Sequence, residues 1–186
     1  MSISIMYHRD GKGVLHFREA MYDEDSEEFM LNQGKVGNMG TGSATAGVDE
    51  AAAEKKFAAF AAKSAELGYA EIPAEEQHWV VAQYALKSAE GTERDRYLEH
   101  KARTTLASYF SWRGLGAVEE SEFAPGKLNI FILAPDVPKA VKGVLVALRD
   151  ANLDFTKLSI GSAPVADTSQ WKRRHPLPAK QPFTLD

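Results

Sequence analysis

The stretch Gln33-Gly34-Lys35-Val36-Gly37-Asn38-Met39-Gly40 sets three glycines and a lysine close together, with Gly42 just beyond. Glycines beside a lysine are the raw material of a phosphate cradle, in which backbone N–H groups and an ammonium hold an anion. A P-loop needs a glycine five positions before Gly34 and Ser or Thr after Lys35, and Phe29 and Val36 stand there. A dinucleotide fingerprint needs glycines that open a helix directly after a strand, whereas helix-forming sequence begins here only about ten residues later. The spacing fits a strand end and a wide turn that needs positive φ.

Other chemistry-bearing residues are dispersed. His8, His16, His78, His100 and His175 show no paired metal spacing. There is no cysteine, hence no thiolate site and no disulfide. No serine sits in a Gly-x-Ser-x-Gly elbow. Asp23-Glu24-Asp25-Ser26-Glu27-Glu28 lacks the sharp-turn glycine of a calcium loop and reads as a solvated hairpin turn. Glu93, Asp95 and Glu99 lie beside Arg94, Arg96 and Lys101 at spacings that stabilise an exposed helix. No catalytic residue, cofactor site or metal ligand is assigned, and a non-enzymatic role is expected.

The elements that must position these residues follow from periodicity. Val14 to Tyr22 alternates, with Leu15, Phe17 and Met21 on one face, as in a half-buried strand. The acidic turn leads into a returning strand with Phe29, Leu31 and Gln33 on one face, and Ser43 to Val48 is a further short strand. Asp49 caps a helix running through Leu67, with Ala53, Phe57, Phe60, Ala61 and Leu67 on an apolar stripe. Ser64 interrupts that stripe without breaking it, since a small polar residue there can bond back to a carbonyl of the preceding turn. Gly68 takes the left-handed C-terminal position. A linker at Pro73–Glu76 separates the halves.

The second half reads as a strand from His78 to Leu86, a helix capped by Thr92, strands Ala117 to Phe123 and Lys127 to Leu133 around Pro125-Gly126, a helix capped by Asp136, and a last strand Phe155 to Ile160. Val141, Val144, Leu145 and Leu148 line the inner face of the second helix, which Asn152 ends. The order β-α-β-β-α-β is the ferredoxin-like arrangement. The expected fold is therefore α+β, with domains over residues 1–74 and 75–163 and a basic, proline-containing tail over 164–186.

Of 186 residues, 22 are Lys or Arg and 26 Asp or Glu, a formal net charge of −4. The first domain carries −5, the second −1 and the tail +2, so the chain as a whole is not built to attract nucleic acid. The absence of cysteine and of a signal-peptide pattern suits the cytoplasm, and no apolar run approaches the ~20 residues that span a bilayer.

The first half resembles a WGR domain. That family has a strand, a returning strand ending in Trp-Gly-Arg-hydrophobic-Gly, a further glycine and strand, then a helix ending in Gly-Tyr. Phe29-Met30-Leu31-Asn32-Gln33-Gly34-Lys35-Val36-Gly37, Gly40, the helix with Phe57, Phe60 and Lys63, and Gly68-Tyr69 follow that order, over roughly residues 12–72. The resemblance implies a sheet-plus-helix fold, and a binding surface at Gln33, Gly34 and Lys35, where the family's DNA-contacting tryptophan and arginine are replaced by Gln33 and Lys35. The loss of the tryptophan removes a stacking platform, and lysine keeps the charge without the planar fork. The leading expectation is a bacterial-type, non-catalytic binding or adaptor protein with a protein partner. The second is a nucleic-acid module touching phosphates through Lys35, Lys12, Arg18 and the tail residues Lys172, Arg173 and Arg174. The third is a small-ligand face around Trp79 and Trp112.

Overall fold

Alternating apolar residues organise the N-terminal sheet. The computed structural model describes residues 2–154 and 157–186 and divides into two units: Met1–Ile72 with Trp112–Gly114, and Pro73–Ser111 with Leu115–Asp186. Each contains one antiparallel sheet. In the first unit β1 (Ser2–Arg9), β2 (Leu15–Asp23), β3 (Glu28–Lys35) and β4 (Thr41–Thr45) lie in the order β1-β2-β3-β4. Strand β1 is absent from the sequence reading, although Ile3, Ile5 and Tyr7 alternate as β-strand residues do. Its presence makes β2 a central strand, paired on both edges, and β2 is buried on both faces rather than one: Phe17, beside Gly114, and Ala20, in the cluster with α1, point opposite ways and are both at 0 % exposure.

One face of this sheet packs on α1 (Glu50–Glu66): Ala20, Tyr22 and Phe29 meet Ala53, Phe57 and Phe60. The helix starts where the Asp49 carboxylate accepts the Ala52 N–H at 2.7 Å, satisfying a donor that the first turn leaves unpaired. It ends where Gly68 adopts φ +78° and the Tyr69 N–H bonds back to Ser64 O at 2.9 Å. The Ser64 Oγ is buried with no hydrogen-bond partner among the described residues, so it does not bond back to the helix.

In the second unit β5 (His78–Ala85), β6 (Ala117–Ala124), β7 (Lys127–Ala134), β8 (Leu158–Pro164) and β9 (Lys172–His175) form a sheet in the order β6-β7-β5-β8-β9. Helix α2 (Glu93–Ser111) follows β5 and α3 (Val137–Asp150) follows β7. Both helices pack on this sheet and on each other. Helix α2 opens on a reciprocal cap, with Thr92 N–H and Oγ1–H donating to Asp95 Oδ2, each at 2.8 Å, and Asp95 N–H returning to Thr92 Oγ1. Helix α3 opens on Asp136, which accepts the Lys139 N–H at 3.0 Å, and Asn152 ends it at φ +56°. Its buried side is Ala140, Gly143, Val144, Ala147 and Leu148, while Val141 and Leu145 are only half-buried.

The last predicted strand, Phe155 to Ile160, overlaps Phe155 and Thr156, which lie outside the described residues; β8 runs Leu158–Pro164. The tail falls in the second unit and supplies a strand of its own, β9, paired to β8. No helix among the described residues is long and apolar enough to cross a membrane.

Candidate binding groove

The register of the first sheet builds a groove. Arg18 on β2 pairs across from Gln33 on β3, and Gln33 across from Thr41 on β4. Directly opposed residues share a face, so Arg18, Gln33 and Thr41 form one row and Leu31 and Ser43 the start of the next. Helix α1 lies on this same face but leaves β4 exposed along its whole length. Beyond Phe60 the row stands open as a groove of about 360 Å³, walled by Arg18, Leu31, Gln33, Thr41, Ser43 and Phe60.

Arg18 is held there without a carboxylate. Its guanidinium carbon lies 5.6 Å from the Phe60 ring centroid and 5.9 Å from that of Tyr69, and its Nε–H is buried with no acceptor among the described residues. Ring faces attract a cation by their quadrupole without neutralising it. The groove thus presents a positive, planar donor group beside an amide and two hydroxyls, a set that accepts carboxylate or phosphate oxygens. Behind it, on the opposite face, Asn32 Nδ2–H donates to Glu19 Oε2 at 3.4 Å, with both residues buried. Tyr7 is buried on that side too, and its hydroxyl is pushed well above the ordinary phenol range, by burial first and by the Glu19 charge second.

The glycine turn closes the end of the same sheet and is not an anion nest. Four of its N–H groups are already engaged: Val36 with Leu15 O, Gly37 with Arg113 O, Asn38 with Lys35 O and Gly40 with Trp112 O, at 2.8 to 3.0 Å. The glycines have packing reasons instead. Gly37 takes φ +93°, and a Cβ on Gly40 would fall 2.1 Å from Asn32 Oδ1 and 2.9 Å from the Phe17 ring.

Of the residues singled out from sequence, Arg18 and Gln33 meet in the groove. Gly34 is half-buried behind it, and Lys35 is exposed at the end of β3, across from His16. Lys12 sits in the hairpin turn before β2, where its N–H bonds Asp10 Oδ1. His16 Nε2 lies 2.9 Å from Asp10 Oδ2. That contact, followed by the Val14 N–H, lowers the Asp10 carboxyl to about 2.

The tail cations are mostly committed within the second unit. Arg173 donates to Ser159 Oγ, Gln181 O and Pro182 O, and Arg174 to Ser162 Oγ; Lys172 is exposed. The two tryptophans fall in different units. Trp79 lies edge-on to Phe131 in a cluster that Trp171, Phe183 and Leu185 cover, so the face around it is filled by the chain's own tail rather than open.

Sequence reasoning missed Leu31, Thr41, Ser43 and Phe60 as groove walls, because strand register brings the first three to Arg18 and the packing of α1 on the sheet brings Phe60. A second cleft, about 220 Å³, lies between α2 and β6 at Glu99, His100 and Arg103. There Glu99 Oε1 accepts bonds from Ser121 Oγ at 2.6 Å and Arg103 Nη1 at 3.4 Å, so its charge is already paired. Among the described residues no group of three or more His, Asp or Glu is placed to hold a metal ion. Compared with known proteins, the chain matches no family model, no curated protein and no solved structure.

Proposed function

We propose that this chain is a non-catalytic binding or adaptor protein, built from a WGR-like unit and a ferredoxin-like unit, whose first unit grips an acidic segment of a protein partner in the Arg18–Gln33 groove. The observation that carries the reading is Arg18 itself: a half-buried guanidinium held by two aromatic rings, with no ion pair among the described residues, on the wall of an open groove. Support for the WGR-like part is the four-stranded antiparallel sheet with one helix and the Gly68-Tyr69 ending. Support for the ferredoxin-like part is the strand order β6-β7-β5-β8 with a helix after β5 and after β7. A displayed peptide library tests the partner class. Selection on the wild-type chain should enrich Asp- and Glu-rich peptides, and Arg18→Glu should abolish that enrichment. Equal enrichment by both chains would refute the proposal.

A nucleic-acid module is the second reading, favoured by exposed Lys12 and Lys35 at the same end of the sheet. It predicts duplex or single-strand affinity that falls steeply with salt. No binding at low salt would eliminate it.

A further inference from the structure

We infer that the face of the second unit's sheet bearing Trp79, Gln83 and Asn129 is a recognition groove for an extended peptide with a phenylalanine two residues before a leucine, and that Phe183-Thr184-Leu185 occupies it in cis. The site is separate from the Arg18 groove and does not depend on it. The face combines apolar seats with buried main-chain readers, which a surface built only as core does not need. Gln83 and Asn129 face each other across β5 and β7 and are 6 % and 0 % exposed. Gln83 Nε2–H donates to Asn129 Oδ1 and to Thr184 O, both at 2.8 Å. Asn129 Nδ2–H donates to Leu185 O at 3.0 Å and to Glu122 Oε1 at 3.0 Å, which fixes the amide's orientation. Two successive carbonyls of the tail, Thr184 O and Leu185 O, are thereby read whatever its side chains.

The side chains are read separately. Phe183 lies where a Cβ on Gly161 would be 2.2 Å from its ring, so only glycine leaves that seat open. Phe183 and Leu185 join Trp79, Val81, Phe131 and Trp171 in one apolar cluster. Lys127 Nζ adds donors to Thr184 O and Thr184 Oγ1 at 3.2 and 3.0 Å. A peptide that joins a sheet edge takes affinity from main-chain bonds and specificity from side-chain pockets; here the Gln83 and Asn129 amides supply the bonds to the main chain from the sheet's face. Paired polar side chains inside a sheet are otherwise a cost that apolar residues would avoid.

The occupant is tethered, not woven in. Residues 176–182 are all exposed and outside any strand, and the Arg173 side chain grips them through Gln181 O and Pro182 O. A tether of this kind holds its segment at an effective concentration of about millimolar, so a free peptide competes poorly until the cis anchor is weakened.

The test uses the full chain and a fluorescein-labelled peptide of residues 178–186, followed by anisotropy. Wild type should bind weakly. Phe183→Ala, which empties the ring seat, should bind the peptide roughly tenfold tighter or more, and a peptide with alanine in place of its phenylalanine should lose that gain. No gain for Phe183→Ala, or equal binding of the alanine peptide, would overturn the inference. Should Phe183→Ala lose its far-UV circular dichroism, Phe183→Leu replaces it, with a smaller gain expected and the absence of any gain again decisive against.

Discussion

Alanine at Gly40 tests whether the glycines of the turn are kept for packing. Its Cβ would fall 2.1 Å from Asn32 Oδ1 and 2.9 Å from both Asn32 Cγ and Phe17 Cζ. Phe17 is fully buried and Asn32 nearly so, so neither can swing into solvent. Overfilling such a site costs about 1–3 kcal/mol. Displacing the Asn32 amide from Glu19 adds about 1–2 kcal/mol for a disturbed buried hydrogen bond. Alanine recovers about 0.4–1 kcal/mol through the unfolded chain, leaving a net loss of about 2–4 kcal/mol. Gly37→Ala meets a different obstacle, φ +93°, worth about 1–2 kcal/mol. At Gly34 the nearest atoms are Gly40 Cα at 3.2 Å and Phe17 Cε1 at 3.3 Å, a crowding of tenths of an ångström that the entropic gain largely offsets, for a net change under about 1 kcal/mol. Peptide-resolved hydrogen exchange over β2 and β3 reads this unit without the other. Gly40→Ala should accelerate those amides roughly 30- to 1,000-fold, at tenfold per 1.4 kcal/mol. Gly37→Ala should fall between the other two. Gly34→Ala as damaging as Gly40→Ala, or a silent Gly40→Ala, would refute the packing argument.

Arg18→Ala should loosen β2 and α1 by about 1–2 kcal/mol, from two cation–π contacts of about 0.5–1 kcal/mol each, visible in the same exchange experiment; no change would mean the rings do not hold the guanidinium. The Asp10 carboxyl should titrate at about 2 by carbon NMR and move back up in His16→Ala. Its folded value lies below the ordinary one, so its stabilisation is complete above about pH 4 and is lost as pH falls through about 2; an unmoved midpoint in the variant would remove His16 as the cause. Gln83→Ala removes donors to Asn129 Oδ1 and Thr184 O and should cost about 1–3 kcal/mol in urea denaturation, with Trp171 fluorescence reporting release of the tail before global unfolding. A single coincident transition at unchanged midpoint would contradict that account.

What could be read from sequence was local. Asp49, Thr92, Asp136 and Gly68 cap or end helices through bonds to residues three to five positions away, so their roles are carried by short motifs. Strand β9 is the opposite case. Lys172-Arg173-Arg174-His175 has no apolar alternation, and the segment pairs with β8 where Arg173 and Arg174 reach Ser159 and Ser162. The same holds for Gln83, whose partners Asn129 and Thr184 are 46 and 101 residues away. Arg18 and Gln33 were each visible as candidates, but their meeting depends on hairpin register. A slip of one residue would send Gln33 to the other face, and the acidic turn that sets the register carries no signal fixing it to one residue.

Charge averaging hid the remaining feature of the site. The first half carries a net −5, which argues against an anionic partner only if the charge is spread evenly. The register shows that it is not. Asp23 and Glu28 pair at one end of β2 and β3, joined by Glu24, Asp25 and Glu27, while His16 and Lys35 pair at the other, one pair along from Phe17 and Gly34 and two from Arg18 and Gln33. Arg18 and Asp23 are five residues apart on one strand, about 17 Å at 3.3–3.4 Å per residue, roughly twice the screening length of about 8 Å at physiological salt. Of the nearer carboxylates, Asp10 is engaged by His16 and Glu19 is buried on the opposite face. The acidic loop therefore does little to cancel the field at the groove in physiological salt and does more to cancel it in dilute buffer, where screening lengthens. An acidic peptide in the groove should weaken as salt rises, but by less than the same peptide on a variant in which Glu24, Asp25 and Glu27 are all replaced by glutamine. That variant should gain affinity at low ionic strength and none near 0.15 M. Equal gains at both salt concentrations would show that the loop acts on the groove by contact rather than through the field, and the polarised-sheet account would fail.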